Sequence, residues 1–288
     1  MTDAAPNLLA WVTGANGLIG SHLTRTAPEF APHWRVRALT RARLDLLDFA
    51  AVEREFRKDK PRLVIHCAAV STVAGAQADP ALARRMNIEV TKQLAGLAAD
   101  IQFVCFSSDL VFDGRKGNYV ETDATNPIHI YGETKLAAEE IVSQNPRHLI
   151  VRTSLTAGIS RAGDRAFNEQ LRHALRTGKP MKLFTDEFRC PIPAIETARA
   201  IWDLANKNCA GRWHVAGAEK LSRWQMGQLF IQRWPGLDAR IEPGSAKDFP
   251  GPPRALDTSL NISKAQKILS VPLPGLTGWL TAHPDEPF

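Results

Sequence analysis

The chain has 288 residues, 44% of them hydrophobic and 23% charged, with a formal net charge of +6. That balance describes a folded chain long enough to bury a sizeable core, and it excludes a disordered or low-complexity protein. No apolar run approaches the roughly 18 residues of a membrane span, and the basic residues are dispersed rather than gathered into a nucleic-acid-binding block.

The opening "MTDAAPNLLAWVTG" lacks the basic start and small-residue cleavage site of a secretory signal, so its apolar run predicts a first strand. "LLAWVTGANGLIGSHLTRTA" then passes through a glycine turn into a helix. "WRVRALTR" alternates as a second strand, and "DFAAVEREFRKDK" predicts a helix with Asp48 as N-cap. "RLVIHCAAV" is a continuous apolar run of the kind buried on both faces of a parallel sheet. "DPALARRMNIEVTKQLAGLAAD" predicts one long helix, capped by Asp79 with Pro80 at its first position. "IQFVCFSS" is another buried strand, a helix begins near Tyr131, and "HLIVRTS" closes the series. Strands alternating with helices over residues 1–155 imply an α/β fold, a doubly wound parallel sheet of Rossmann type.

Residues 156–288 are less regular and predict a small substrate-binding lobe that returns one or two elements to the sheet. "FNEQLRHALRTG" and "AIETARAIWDLANKN" read as helices, and "GRWHVAG" as a strand. "SRWQMGQLFIQRW" reads as a helix capped by Ser222, and "SKAQKIL" as a final short helix capped by Ser263. Trp202, Trp213, Trp224 and Trp234 suit core packing, with base stacking as the alternative use. The four cysteines (Cys67, Cys105, Cys190 and Cys209) are scattered without metal-ligand spacing. A reduced, cytoplasmic setting follows, with neither disulfides nor a bound metal expected.

Gly14, Gly17 and Gly20 fall three apart at a strand end and helix start. The first permits the turn, the second lets backbone approach a pyrophosphate, and the third lets helix pack on strand. Enzymes specific for NAD carry an acid at the end of the second strand. Here "ALTRAR" offers Arg41 and Arg43 instead, which favours NADP(H) over NAD(H); unliganded surface arginines are the alternative. Tyr131 and Lys135, at i and i+4, share one side of a helix. A phenol is a weak acid–base group unless a cation steadies its phenolate, and Lys135 is such a cation. Ser108 ends a buried strand at the carboxyl edge, where doubly wound folds bind ligands.

The glycine turn, Ser108 and the Tyr131-x-x-x-Lys135 helix together resemble the extended short-chain dehydrogenase/reductase superfamily. Within it, "SSDLVFDGRKGNYVETDATNPIHIYGETKLAAEE" is similar to the dTDP-4-dehydrorhamnose reductase family, as are "LDLLDFAAV", "IVRTS" and "PPRALDTSLNISKAQKIL". The likeness covers most of the chain and is closest over residues 8 to 155. It implies an NADP(H)-dependent reduction of a nucleotide-linked 4-keto-6-deoxyhexose, with Tyr131 as proton donor. By the same resemblance Lys135 lowers the phenol's pKa and binds the nicotinamide ribose, while Ser108 polarises the carbonyl. Gly14, Asn16, Gly17, Leu18, Ile19 and Gly20 would cradle the cofactor and Arg41 its 2′-phosphate. Asp45 and Leu46 would meet the adenine, and Ala68 and Ala69 would lie along the cofactor. Asp109 would hold a sugar hydroxyl. Arg189 and Arg254 would meet the substrate pyrophosphate, or else stay solvated. A homodimer rests on analogy alone.

Leu110 stands where the family has tyrosine, His129 where it often has asparagine, and "HCAAVSTV" departs from its usual pattern, all near the expected sugar. Asn87 matches a position of active-site support, although a helix-surface amide accounts for it equally well. Two further readings stand beside the reductase. One is a nucleotide-sugar epimerase or dehydratase of the same superfamily. The other is a cofactor-binding regulatory subunit resembling the non-catalytic partner of methionine adenosyltransferase.

Overall fold

The computed structural model describes residues 8–161, 163–164, 166–237, 240–286 and 288. Residues 1–7, which open the expected N-terminal half, lie outside the described residues. The apolar runs become β1 (Leu8–Thr13), β2 (Trp34–Leu39), β3 (Leu63–His66), β4 (Gln102–Ser108) and β5 (Leu149–Thr153). All four residues of β3 and all five of β5 are buried, because helices cover both faces of the sheet. The strand Gly211–Val215, from the second half of the chain, pairs with β5. The sheet runs Gly211–Val215, β5, β4, β3, β1, β2, parallel throughout. The strand order reverses between β1 and β3, which opens a crevice at their carboxyl ends.

The first half supplies α1 (Leu18–Phe30), α2 (Phe49–Asp59), α3 (Val73–Ala78), α4 (Pro80–Arg84), α5 (Val90–Leu97) and α6 (Ile130–Val142). The second supplies α7 (Phe167–Arg176), α8 (Ala194–Asn206), α9 (Arg223–Gln232), α10 (Ser263–Ile268) and α11 (Leu276–Ala282). Leu23 of α1 and Ile201 and Trp202 of α8 fill one face of the sheet with Val12, Ile65 and Val104. Val52 of α2 and Val90 and Leu94 of α5 fill the other with Trp11, Val64 and Phe103. A separate core of Leu171, Leu183, Phe230, Trp234, Trp279 and Phe288 supports the second half. Among the described residues no helix is long and apolar enough to cross a membrane.

Asp48 and Asp79 cap as expected, accepting from the amides of Ala51 and Leu82 at 2.9 Å. Three expectations are corrected. The single long helix is α4 and α5 joined by one π-helical turn, Arg85–Glu89, and the unforeseen α3 precedes it. Ser263 does not cap α10 but is its first residue, and its amide donates to Asn261 Oδ1 at 3.0 Å. Nor is α10 the last helix, since α11 follows and buries Leu276, Trp279 and Leu280. The residues "LTGWLTA" carry an internal glycine and weak helix propensity, so tertiary burial decides that element.

Candidate active site

At the reversal of strand order, β1 and β3 pair through their backbones, and the Thr13 side chain ties the end of β1 to the chain leaving β3. Thr13 Oγ1 accepts from the amides of Cys67 and Ala68, each at 3.2 Å, and lies 2.8 Å from His66 Nδ1. Gly14 has φ +63°, and a Cβ there would stand 2.7 Å from the Ala68 nitrogen. A Cβ on Gly20 would run into the Gly14 carbonyl. Only glycine permits this close approach. No side chain caps α1, which starts at Leu18 and Ile19, and no acid lies in its first turn. Its first amides and partial positive charge therefore suit an anionic group such as a dinucleotide phosphate.

The Ala15 amide donates to Leu39 O at 3.2 Å, which sets Asn16 beside the end of β2. A cleft of about 710 Å³ opens there, with Asn16, Ser21, Thr40, Arg43 and Arg161 in its wall. Arg43 lines it, whereas Arg41 is exposed and faces Asp45 at 3.9 Å. Asp45 also accepts from the Leu47 amide at 3.0 Å. Leu46 is buried in the core on the α2 face of the sheet, and the half-buried Ala68 and Ala69 follow β3.

Ser108 ends β4, and α6 begins opposite it. His129 caps α6, its Nδ1 accepting from the Gly132 amide at 3.0 Å. A Cβ on Gly132 would run into the Leu110 carbonyl, so this glycine lets the first turn of α6 dock on the chain just after Ser108. Burial pushes the Tyr131 phenol up to about 12; the Ser108 hydroxyl and the Arg189 charge work against the rise, and the Asp109 charge adds to it. The expectation that Lys135 holds the phenol down is therefore not met by the protein's own groups. Lys135 is only 4% exposed and makes no ion pair among the described residues. Its charge bears instead on His66, which burial and Lys135 together depress to about 3.

Asn87 is not a surface amide. It is 1% exposed, sits in the π turn and makes three hydrogen bonds. Its Oδ1 accepts from the Val70 amide at 2.9 Å, and its Nδ2 donates to Val70 O at 3.1 Å and to Thr134 Oγ1 at 2.9 Å. Thr134 Oγ1 donates in turn to Tyr131 O at 2.8 Å. Asn87 thus ties the segment after β3 to the turn that carries Tyr131, and the π turn aims it there.

The residues assigned to the substrate lie in a buried ionic cluster. Asp109 pairs with Arg189 Nε at 2.9 Å and accepts from Ser108 Oγ at 3.1 Å, Ser154 Oγ at 2.7 Å and Thr258 Oγ1 at 3.3 Å. Nearby Glu187 pairs with Arg223 at 2.9 Å and Arg254 at 3.3 Å. Burial works to raise the Glu187 carboxyl, yet Arg223, Arg189 and Arg254 together hold it below its ordinary value. The Arg254 guanidinium also lies over the rings of Phe184 and Phe249, at 5.0 and 4.6 Å. Arg189 and Arg254 are thus partnered rather than solvated, and Arg223 was missed because at a helix start it reads as a surface residue. Three guanidiniums against two carboxylates leave a cationic surplus suited to an anion.

Among the described residues no His, Cys, Asp or Glu group could hold a metal. Burial pushes the Cys105 and Cys190 thiols up to about 11 and raises Cys67 as well, so none of the three offers a thiolate at neutral pH. Trp202 and Trp234 are core residues, with the Trp202 indole donating to Leu23 O at 3.1 Å.

Residues 9–282 match the family model described as the RmlD substrate binding domain. The chain is 30% identical to the dTDP-4-dehydrorhamnose reductase of Mycobacterium tuberculosis, over 87% of this chain and 84% of that protein. It is 27% identical to methionine adenosyltransferase 2 subunit beta of Xenopus laevis, over 91% of this chain and 83% of that one. Its fold superposes on a dTDP-4-dehydrorhamnose reductase from Bacillus anthracis, solved in complex with NADP, with a TM-score of 0.86 at 22% identity; the match covers 96% and 98% of the two chains.

Proposed function

The chain belongs to the RmlD substrate binding domain family, and from that premise we propose that it is an NADP(H)-dependent reductase of a nucleotide-linked 4-keto-6-deoxyhexose. The observation that carries this reading is the docking of the first turn of α6, with Tyr131 and Lys135 buried, against the chain just after Ser108 at the carboxyl edge of β4, where Lys135 has no counter-ion among the described residues. Names borne by relatives support it: one is a dTDP-4-dehydrorhamnose reductase and another was solved with NADP.

A reduced nicotinamide supplies hydride to the sugar C4 when bound. The chain's residues do the remainder. The glycine turn and the first amides of α1 receive the pyrophosphate, with Asn16, Leu18 and Ile19 in that turn. Arg41 and Arg43 serve the 2′-phosphate end, Asp45 and Leu46 the adenine, and Ala68 and Ala69 the length of the dinucleotide. Lys135 binds the nicotinamide ribose. Ser108 donates to the substrate carbonyl, and Tyr131 passes its phenolic proton to that oxygen as it becomes a hydroxyl. A phenol that titrates near 12 stays protonated at neutral pH, which suits an acid working in the direction of reduction. The phenolate left behind is steadied by Ser108 and the Arg189 charge, then reprotonated from solvent. Asp109 with Arg189, and Arg254 with Arg223, form the anion-binding wall for the nucleotide sugar. The proposal assigns cofactor and proton chemistry to residues 1–155 and substrate binding mainly to 156–288. A homodimer in the cytoplasm completes it.

The relation to methionine adenosyltransferase 2 subunit beta favours a second reading, a regulatory subunit that binds cofactor without turnover. NADPH consumption with dTDP-4-dehydrorhamnose separates the two. We expect oxidation by the parent protein and a loss of at least about 100-fold in kcat for Tyr131→Phe, with NADPH affinity unchanged. Tight NADPH binding with no oxidation of any 4-keto hexose would favour the regulatory subunit instead.

A further inference from the structure

The loop between β5 and α7 is held by two buried side chains of α7. Asn168 clamps Gly158 from both sides, its Oδ1 accepting from the Gly158 amide and its Nδ2 donating to the Gly158 carbonyl, each at 3.0 Å. Glu169 spans the loop: its Oε1 accepts from the Ser160 amide at 2.7 Å and its Oε2 from the Ala166 amide at 2.9 Å. The Ser160 hydroxyl donates to the same carboxylate at 2.9 Å. Both ends of the loop are therefore fixed by a buried carboxylate and amide. Charge-assisted bonds of this kind are the strong ones.

Between those fixed ends stands Arg161. Its side chain is exposed, yet Nη1 donates to Asn16 Oδ1, in the glycine turn, at 3.2 Å. The two residues are 145 positions apart in the chain. Arg43 stands in the same cleft wall at the end of β2, its guanidinium donating to Ala38 O at 3.2 Å. The Ala15–Leu39 hydrogen bond brings the glycine turn against this strand end. In doubly wound folds the adenosine ribose lies at that corner, where an acid reads its hydroxyls in enzymes for NAD. Here the acid is absent. Thr40 and Arg41 follow β2 directly, and the first carboxylate, Asp45, is turned toward Arg41 and the Leu47 amide.

We infer that Arg161 and Arg43, from opposite halves of the chain, close on the adenosine 2′-phosphate, and that Arg161 is a specificity-determining residue for NADP(H). The inference rests on the NADP(H) reading above. Its physical basis is that Arg161 follows the clamped Ser160 directly and its guanidinium is already held by Asn16. Little side-chain entropy is then lost on binding, and Asn16 holds the fork until the phosphate arrives.

The test is calorimetric titration of the parent, Arg161→Ala and Arg161→Lys with NADPH and with NADH, and with 2′,5′-ADP and 5′-ADP as fragments. Loss of a guanidinium–phosphate pair should weaken NADPH and 2′,5′-ADP by about tenfold or more, and NADH and 5′-ADP by no more than about twofold. Arg161→Lys should fall between, keeping the charge without the planar fork. The Arg161 side chain takes no part in the bonds of Asn168 and Glu169, so the thermal midpoint should match the parent's. An unchanged NADPH affinity in Arg161→Ala would overturn the assignment while leaving the cofactor reading intact, and so would an equal loss for both dinucleotides. A parent protein that binds neither dinucleotide would overturn both.

Discussion

The edge formed by β1 and β3 is built of backbone, whereas the region around Asp109 and Glu187 is built of side-chain charge. At the first, Gly14, Gly20 and Ala68 approach so closely that a single Cβ cannot be added, and the amides of α1 face outward without a side-chain cap. At the second, Arg189, Arg223 and Arg254 gather from the segment before Cys190, the start of α9 and the loop before α10, around two buried carboxylates. A backbone site tolerates almost no substitution because its shape is the function. A charged site depends on the balance among its members, so losing one member alters the rest.

The contrast can be broken most severely at Gly14. Gly14→Val combines an unfavourable positive φ with a Cβ driven into the Ala68 amide. It should lower stability by about 4 kcal/mol and abolish dinucleotide binding, as measured by chemical denaturation and titration. Binding at parent affinity would show that the turn can open, and the claim that backbone shape defines this site would fail.

A smaller effect is expected at Arg223. Its loss leaves Glu187 buried with one fewer cation and should lower stability by about 2–3 kcal/mol at neutral pH. The pH dependence follows from the depressed Glu187 carboxyl. The unfolded chain takes up this proton before the folded one, so the stabilisation is present above the unfolded carboxylate pKa and drains away as pH falls through the folded value. Arg223→Ala lifts that folded value and should begin to lose stability at a higher pH than the parent. Parallel acid-unfolding curves would count against the cluster as a coupled unit.

The smallest effect concerns α10. Ser263→Ala should change stability by less than about 0.5 kcal/mol, whereas Asn261→Ala should cost about 1 kcal/mol, because the Asn261 carboxamide accepts the first amide of the helix. Equal effects in thermal unfolding would restore Ser263 as the cap.

The two regions also differ in how far they can be read before folding. The glycine turn, Ser108 and the Tyr131–Lys135 spacing are local patterns, and each is legible in a few consecutive residues. Asn87 was legible as a position of active-site support only through the family resemblance, and its partners were not: it bonds to Val70 and Thr134, neither of which is its neighbour along the chain. Arg223 and Arg161 carried no local signal at all. One lies in the first turn of a helix and the other in an irregular loop, and each takes its meaning from a partner far away in sequence: Glu187 for Arg223, and Asn16 for Arg161.

The parallel sheet, the glycine turn and the helical spacing of Tyr131 and Lys135 were therefore legible before folding. Hydrophobic period, glycine spacing and helical repeat are properties of short stretches of backbone. Three things came only with the tertiary structure: that Tyr131 and Lys135 are buried, that Asp109 and Arg189 partner each other, and that Arg161 of the second half reaches Asn16 in the glycine turn. Desolvation and charge pairing are fixed by neighbours in space, and those exist only once the sheet has brought distant segments to one edge.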